Sequence, residues 1–370
     1  MYILGYNCVT AAGFGADKLM DALYSGRDCS QSQEDGGRIC FIPRGVEPKQ
    51  NFQQRFQSYL HKLWSSLGLS AEITTDLKKT RVAFLFSSTK GIVEDYVWTE
   101  IEIRNHEDPF HAVYSQFTDA YPEINWTLKC NISNACSSSH LAFEYAQDLF
   151  AQDRIDYAFV FASDLIGPFI YKGFFSLKVA SLTTCQPFAA SRDGLQLGDA
   201  AALILLSKDK KSGLKIADVA SETEGTSITR PSMSGEGLFK AISKMSQSYK
   251  IAPDLIVAHG TGTRFNDQSE DLAFQKCFTS YPKVPVTGTK WAIGHTLGAS
   301  GAIDLIAACE LLKNKKSFSL QNTPEKDPTL KMNYLTKGSS SPEHLKQVLI
   351  SSLGFGGVHA ALLLEKEDQL

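Results

Sequence analysis

Two short apolar runs, residues 128–133 and 156–162, flank a stretch from Ser137 to Gln152 in which Leu141, Tyr145 and Leu149 recur every four residues, with Ala142 and Ala146 widening the same face. Apolar residues at that spacing make one face of a helix, and the short runs on either side read as strands. The unit is βαβ. A chain committed to it is an α/β protein whose sheets are mostly buried.

The first half adds strands at residues 81–87 and 200–206. The second half repeats the logic, with strands near 215–220, 255–258 and 284–288 and a helix over 300–312 whose Ile303, Ile306, Ala307 and Leu311 fall at helical spacing. Two more strands, 347–351 and 360–364, close the chain around a glycine-rich turn. At 370 residues and 43% hydrophobic content the chain is too long for one ordinary domain. No linker or low-complexity tract divides it, which predicts two closely packed halves, 1–210 and 211–370. The shared order of elements suggests a duplication.

A net charge of -3 and the absence of long like-charge runs leave no global signature for nucleic acid. The N-terminus lacks a basic region before its apolar residues, and no apolar run approaches the ~20 residues a membrane span needs. The expectation is a cytoplasmic protein. Its eight cysteines are scattered without CxxC spacing, which predicts free thiols, and the lack of metal-ligand spacing or a nucleotide loop predicts no metal site and no bound cofactor.

One of them, Cys136 in Asn-Ala-Cys-Ser-Ser-Ser, sits between a strand and the helix that follows. Unpaired N–H groups and the positive end of the macrodipole at a helix start favour a thiolate, and therefore a nucleophile. His259 opens a His-Gly-Thr-Gly-Thr loop directly after an apolar run, and His295 lies in Gly-His-Thr-Leu-Gly-Ala-Ser-Gly at another strand-to-helix junction. The ends of strands are where open α/β sheets bind ligands. Lys290 precedes His295, while Asp267, Glu270 and Asp304 flank the two histidine motifs, a set that predicts a buried charged network holding the imidazoles. Near the end, Gly354-Phe355-Gly356-Gly357 offers a turn in which the Phe355 N–H is a second oxyanion donor beside that of Cys136. A plain hairpin accounts for those glycines equally well.

Together these residues resemble the β-ketoacyl synthase family. The matching segments are 134–139, Pro187-Phe188 with Ser191-Arg192-Asp193-Gly194 and Gly198, 259–263 with Asn266, Asp267 and Glu270, 288–301, and 354–357, in family order over nearly the whole chain. The resemblance implies a thiolase-like fold of two duplicated βαβ-rich halves in an α-β-α-β-α arrangement. It implies that Cys136 carries the acyl group, that His259 and His295 bind the malonyl thioester and promote decarboxylation, and that Phe355 is oxyanion-hole residue and gate. Lys290 joins a supporting network with Glu270, Asp267, Asp304, Thr261 and Thr263. The implied partner is an acyl carrier protein bearing substrates on phosphopantetheine, with Arg55, His61 and Lys62 as candidate docking residues. The implied assembly is a homodimer or a heterodimer with a related ketosynthase or chain-length subunit.

The chain departs from the family pattern at Leu353 (usually Phe), Val358-His359 (usually Thr-Asn), Gly198-Asp199-Ala200 (usually Gly-Glu-Gly) and Asp304 (often Glu). These changes point toward a specialised pathway such as polyene or aryl-polyene synthesis. Competing readings are a non-condensing chain-length-factor-like partner, a thiolase or other acyltransferase, and a non-catalytic carrier-protein-binding scaffold. The intact Cys136, His259, Lys290 and His295 argue against the partner and the scaffold. The lack of a cysteine in the 354–357 turn argues against a thiolase.

Overall fold

The computed structural model describes residues 1–43, 50–97, 108–210, 212–278, 284–342 and 344–367. Its sheet is built from β1 (Tyr2–Thr10), β2 (Val82–Ser87), β3 (Trp126–Ile132), β4 (Tyr157–Asp164) and β5 (Ala200–Ser207), followed by β6 (Leu214–Thr223), β7 (Leu255–Val257), β8 (Pro285–Thr287), β9 (Gln347–Leu353) and β10 (Val358–Lys366). The spatial order is β3-β2-β4-β5-β1 in the first half and β8-β7-β9-β10-β6 in the second. Numbered within its own half, each set of five reads 3-2-4-5-1; the second half adds a short parallel edge strand, Asn333–Tyr334, outside β8. In each, the first three strands are parallel and the last two antiparallel. The duplication faint in residue identities is explicit in topology. The halves join where Tyr2 of β1 pairs with Lys215 of β6.

The helices that matter here are α1 (Phe52–Ser66), α2 (His111–Ala120), α3 (Ser138–Ala151), α4 (Pro168–Ser176), α5 (Glu236–Ser248), α6 (Arg264–Cys277) and α7 (Ser300–Asn314). α3 follows β3 and α7 follows β8, so the two are equivalents in the repeat. They pack on each other, and each reaches into the other half, α3 against β6 and β10 and α7 against β1 and β5. This shared middle layer explains α7, whose residues are apolar nearly all round and buried from Ser300 to Cys309. On α3 the buried face is Ala142, Phe143, Ala146, Leu149 and Phe150, while Leu141 and Tyr145 sit at its partly exposed margin. The small alanines let the middle layer come close to the sheets.

α1 corrects one expectation. Arg55 is 6% exposed and its guanidinium is 2.9 Å from the fully buried Asp199, so it is a core ion pair and not a docking residue. His61 is half-buried against Phe117, and Lys62 is exposed; both line an open hollow of about 500 Å³ with Phe14, Ser65 and Ser66. Among the described residues no helix is long and apolar enough to cross a membrane.

Candidate active site

The turn from β3 into α3 is tight. Ala135 takes a φ of 42°, left-handed backbone that a non-glycine residue adopts at a cost, and the next residue is Cys136. Two further bonds tie this turn to the second half. The Ser137 hydroxyl donates to the Val358 carbonyl at 2.9 Å, and the Ser352 hydroxyl donates to the Cys136 carbonyl at 3.0 Å. Cys136 is thus held at the interface of the two halves, 4% exposed.

His295 reaches it from the second half. Its Nε2 is 2.9 Å from Cys136 Sγ, and its Nδ1 is 2.9 Å from the Ser300 hydroxyl. The loop bearing His295 is stitched to a short strand of the first half, Leu197–Gly198: the His295 N–H donates to the Gln196 carbonyl at 2.6 Å, and the Gly198 N–H to the His295 carbonyl at 3.0 Å. A side chain on Gly198 would collide with the carbonyl oxygen of Ile293, which is why the backbones can approach so closely.

His259 follows β7 and faces His295 edge-on, with ring centroids 5.0 Å apart at 89°. Its position is set through the backbone. The N–H groups of His259 and Gly260 donate to the two oxygens of Glu270 at 2.8 and 2.7 Å, and the Ser351 hydroxyl donates to the same carboxylate at 2.7 Å. Ligating atoms of Cys136, His259 and His295 all lie within 4.8 Å of one another. Such a set can act on one small thioester, and its chemistry could also hold a soft divalent ion.

The charged residues divide their work differently from the expected single network. Lys290 Nζ pairs with Asp304 at 3.0 Å, and Asp304 also accepts from the Thr289 hydroxyl at 2.5 Å. Glu270 is not the ion-pair partner of Lys290; it cradles the His259 loop. Asp267 accepts from the N–H groups of Phe188 and Gly262 at 2.7 and 3.2 Å and lies 3.4 Å from Arg192, so it braces the other side of that loop. Thr261 and Thr263 bond each other at 3.0 Å. Among the described residues none of these carboxylates bonds an imidazole; they position the loops, and the tautomers are left to Ser300 and the substrate. The serines at 300, 351 and 352 carry much of this scaffold. A local signal existed only for Ser300, five residues after His295.

Electrostatics overturn the expectation of a thiolate. Burial pushes the Cys136 thiol up to about 12, while the Phe355 N–H, Lys290 and its own N–H hold it down. Desolvation outweighs the helix terminus, so the group is a thiol before substrate arrives. Burial and the nearby Lys290 place both His259 and His295 well below the ordinary histidine value, so both are neutral. Phe355 itself is half-buried, its ring stacked on Phe174 of α4 at 5.7 Å and 14°.

Residues 128–212 match the β-ketoacyl synthase N-terminal domain and residues 214–322 the β-ketoacyl synthase C-terminal domain. The fold and the family models together place the chain among the condensing enzymes. The chain belongs to the β-ketoacyl synthase family. It is 27% identical to the putative polyketide β-ketoacyl synthase 1 of Streptomyces cyaneus over 98% of this chain and 97% of that one. It is 28% identical to the ketoacyl synthase alpha subunit of the tetracenomycin polyketide synthase of Streptomyces glaucescens over 64% of this chain and 60% of the relative. Among solved structures, a chain of a ketosynthase in complex with its chain length factor from Xenorhabdus doucetiae superposes with a TM-score of 0.83 at 23% identity, covering 99% of this chain and 98% of that one. A type II polyketide synthase acyl-carrier protein in complex with its ketosynthase bound to the hexaketide matches at 0.83 and 19% identity, over 99% of both chains.

Proposed function

We propose that this chain is a β-ketoacyl-[acyl-carrier-protein] synthase that transfers an acyl group to Cys136 and extends it with a malonyl thioester. The contact of Cys136 Sγ with His295 Nε2 carries the reading. With the Ser300 hydroxyl accepting from Nδ1, the free lone pair on Nε2 faces the thiol and takes its proton as sulfur attacks the incoming thioester. That proton then goes to the departing thiolate of the carrier. Developing negative charge on the acyl oxygen falls to the N–H groups of Cys136 and Phe355.

In the second step the malonyl carboxylate leaves as CO2, and its bonding electrons form an enolate that needs no external base. Neutral N–H donors on His259 and His295 stabilise it; between the half-reactions His295 gives up its Nδ1 proton to solvent and takes one at Nε2, so that Ser300 now donates to Nδ1. The enolate carbon attacks the acyl carbon on Cys136, and the sulfur leaves as a thiolate that takes up one proton from solvent, the proton that decarboxylative condensation consumes overall. Lys290 favours negative charge throughout, and its pairing with Asp304 makes its burial tolerable.

The substrates in this reading arrive on the phosphopantetheine arm of an acyl carrier protein, with no bound cofactor. The chain works as a dimer with itself or with a chain-length subunit. Intact mass after incubation with acyl-carrier protein, with and without malonyl-carrier protein, tests it. The expected result is an acyl adduct on Cys136 that disappears when malonyl-carrier is added. No adduct at any chain length would favour the chain-length-partner reading.

A further inference from the structure

His359 stands at the start of β10, two residues beyond Gly357, and is 1% exposed. Its Nε2 lies 3.0 Å from Oε1 of Glu224, just past the end of β6, a close contact off the line of a hydrogen bond. Burial lowers the histidine despite the carboxylate beside it, so this is a neutral imidazole against a carboxylate. Holding a carboxylate against a buried neutral imidazole costs desolvation, and such a contact can fix where its two segments sit.

Here the turn carrying Phe355 depends on it. The Glu224 N–H donates to the Gly357 carbonyl at 2.8 Å, and the Gly356 N–H donates to the Ile228 carbonyl at 2.6 Å. The same Glu224 carboxylate accepts from the Ser232 N–H and from the Gly237 N–H at 3.3 Å, folding residues 224–237 back on themselves. A side chain at Gly237 would strike the His359 ring, and one at Gly357 would strike the Glu224 carbonyl. Glu224 is thus the hub joining the 224–237 segment to the turn, and His359 is the side chain that pins the hub from within the sheet. On its other side the turn meets the Phe174 ring, the Ser137 bond to Val358 and, through the Phe355 N–H, the Cys136 thiol.

We propose that the His359–Glu224 pair is a positioning device that sets the 354–357 turn, and with it the Phe355 N–H and ring, against Cys136. The consequence for catalysis rests on the ketosynthase reading; the consequence for the turn does not. Neither residue touches the reacting atoms, and both act through the backbone of the turn.

The test uses the full chain and the variants His359→Leu, Glu224→Ala and the conservative His359→Gln, each first checked for a wild-type circular dichroism spectrum. Hydrogen-exchange mass spectrometry should show faster exchange in peptides covering 224–232 and 353–359 of His359→Leu and Glu224→Ala, with 255–263 and 290–298 as in wild type. Single-turnover acylation of Cys136 should slow roughly tenfold at saturating acyl-carrier protein, less than the loss of a whole oxyanion donor, with KM changed little. His359→Gln should restore most of both. Unchanged or uniformly accelerated exchange overturns the positioning role, as does a loss confined to KM. If wild type accepts no acyl group, the ketosynthase reading fails while the exchange comparison still decides the fate of the pair.

Discussion

His295 Nε2 and Cys136 Sγ lie 2.9 Å apart although 159 residues separate them in the chain. Because His295 holds the thiol contact and His259 meets His295 only edge-on, the two histidines should be separable by experiment. His259→Ala should leave acylation close to wild type while condensation falls ~10²-fold or more, the usual scale for a lost oxyanion donor. His295→Ala should slow both steps, since it removes the acceptor for the thiol proton as well. Single-turnover mass spectrometry measures the steps apart; equal effects of the two substitutions on acylation would contradict the assignment.

The Lys290–Asp304 pair is fully buried at 3.0 Å. Asp304→Ala strands an ammonium in the core and should cost ~3–5 kcal/mol of stability. Replacing both, as Lys290→Met with Asp304→Leu, should cost less than Asp304→Ala alone, because no unpaired charge remains. Urea unfolding of the three proteins measures this, and a double variant less stable than the single would refute it.

Two buried groups should give opposite pH dependences. Burial lowers His140 from 6.5 to about 4, so the unfolded chain takes up its proton first and this contribution to stability, full above 6.5, is lost as the pH falls toward 4. Burial raises Asp267 from 3.8 to about 7, so its contribution is full below 3.8 and is lost as the pH rises toward 7. Relative to wild type, His140→Gln should therefore be less destabilising at about pH 5 than at about pH 7.5, and Asp267→Asn the reverse. Unfolding free energies at the two pH values provide the comparison; differences that do not vary with pH would rule both out.

Gly198→Ala should be damaging for a backbone reason, since its new methyl group meets the Ile293 carbonyl beside the His295 loop. A loss of several °C in Tm together with a condensation defect is expected, on the order of the 1–3 kcal/mol that overpacking costs. Thermal unfolding and turnover on the same sample check it, and a wild-type Tm would show that the loop has room to move.

Much of this was legible locally. Helical spacing marked α3 and α7, apolar runs marked the strands to within a few residues, and Cys136, His259 and His295 stood out because each ends a strand and enters a loop of small residues. Leu141 and Tyr145 were placed on the wrong part of the buried face, since a helix between two sheets buries whichever side carries its alanines. Arg55 reads as a surface cation until Asp199 is brought to it by the fold.

The sequence by itself determined the α/β class and the order of elements, and it singled out Cys136, His259 and His295 as candidates, because these follow from short-range periodicity and from residue types beside strand ends. Only the tertiary structure decided that Cys136 is a thiol, that Lys290 pairs with Asp304 while Glu270 holds a backbone loop, and that His359 meets Glu224 under the Phe355 turn. Desolvation and ion pairing depend on which distant segments exclude water from a group, and that is a property of the packed halves together.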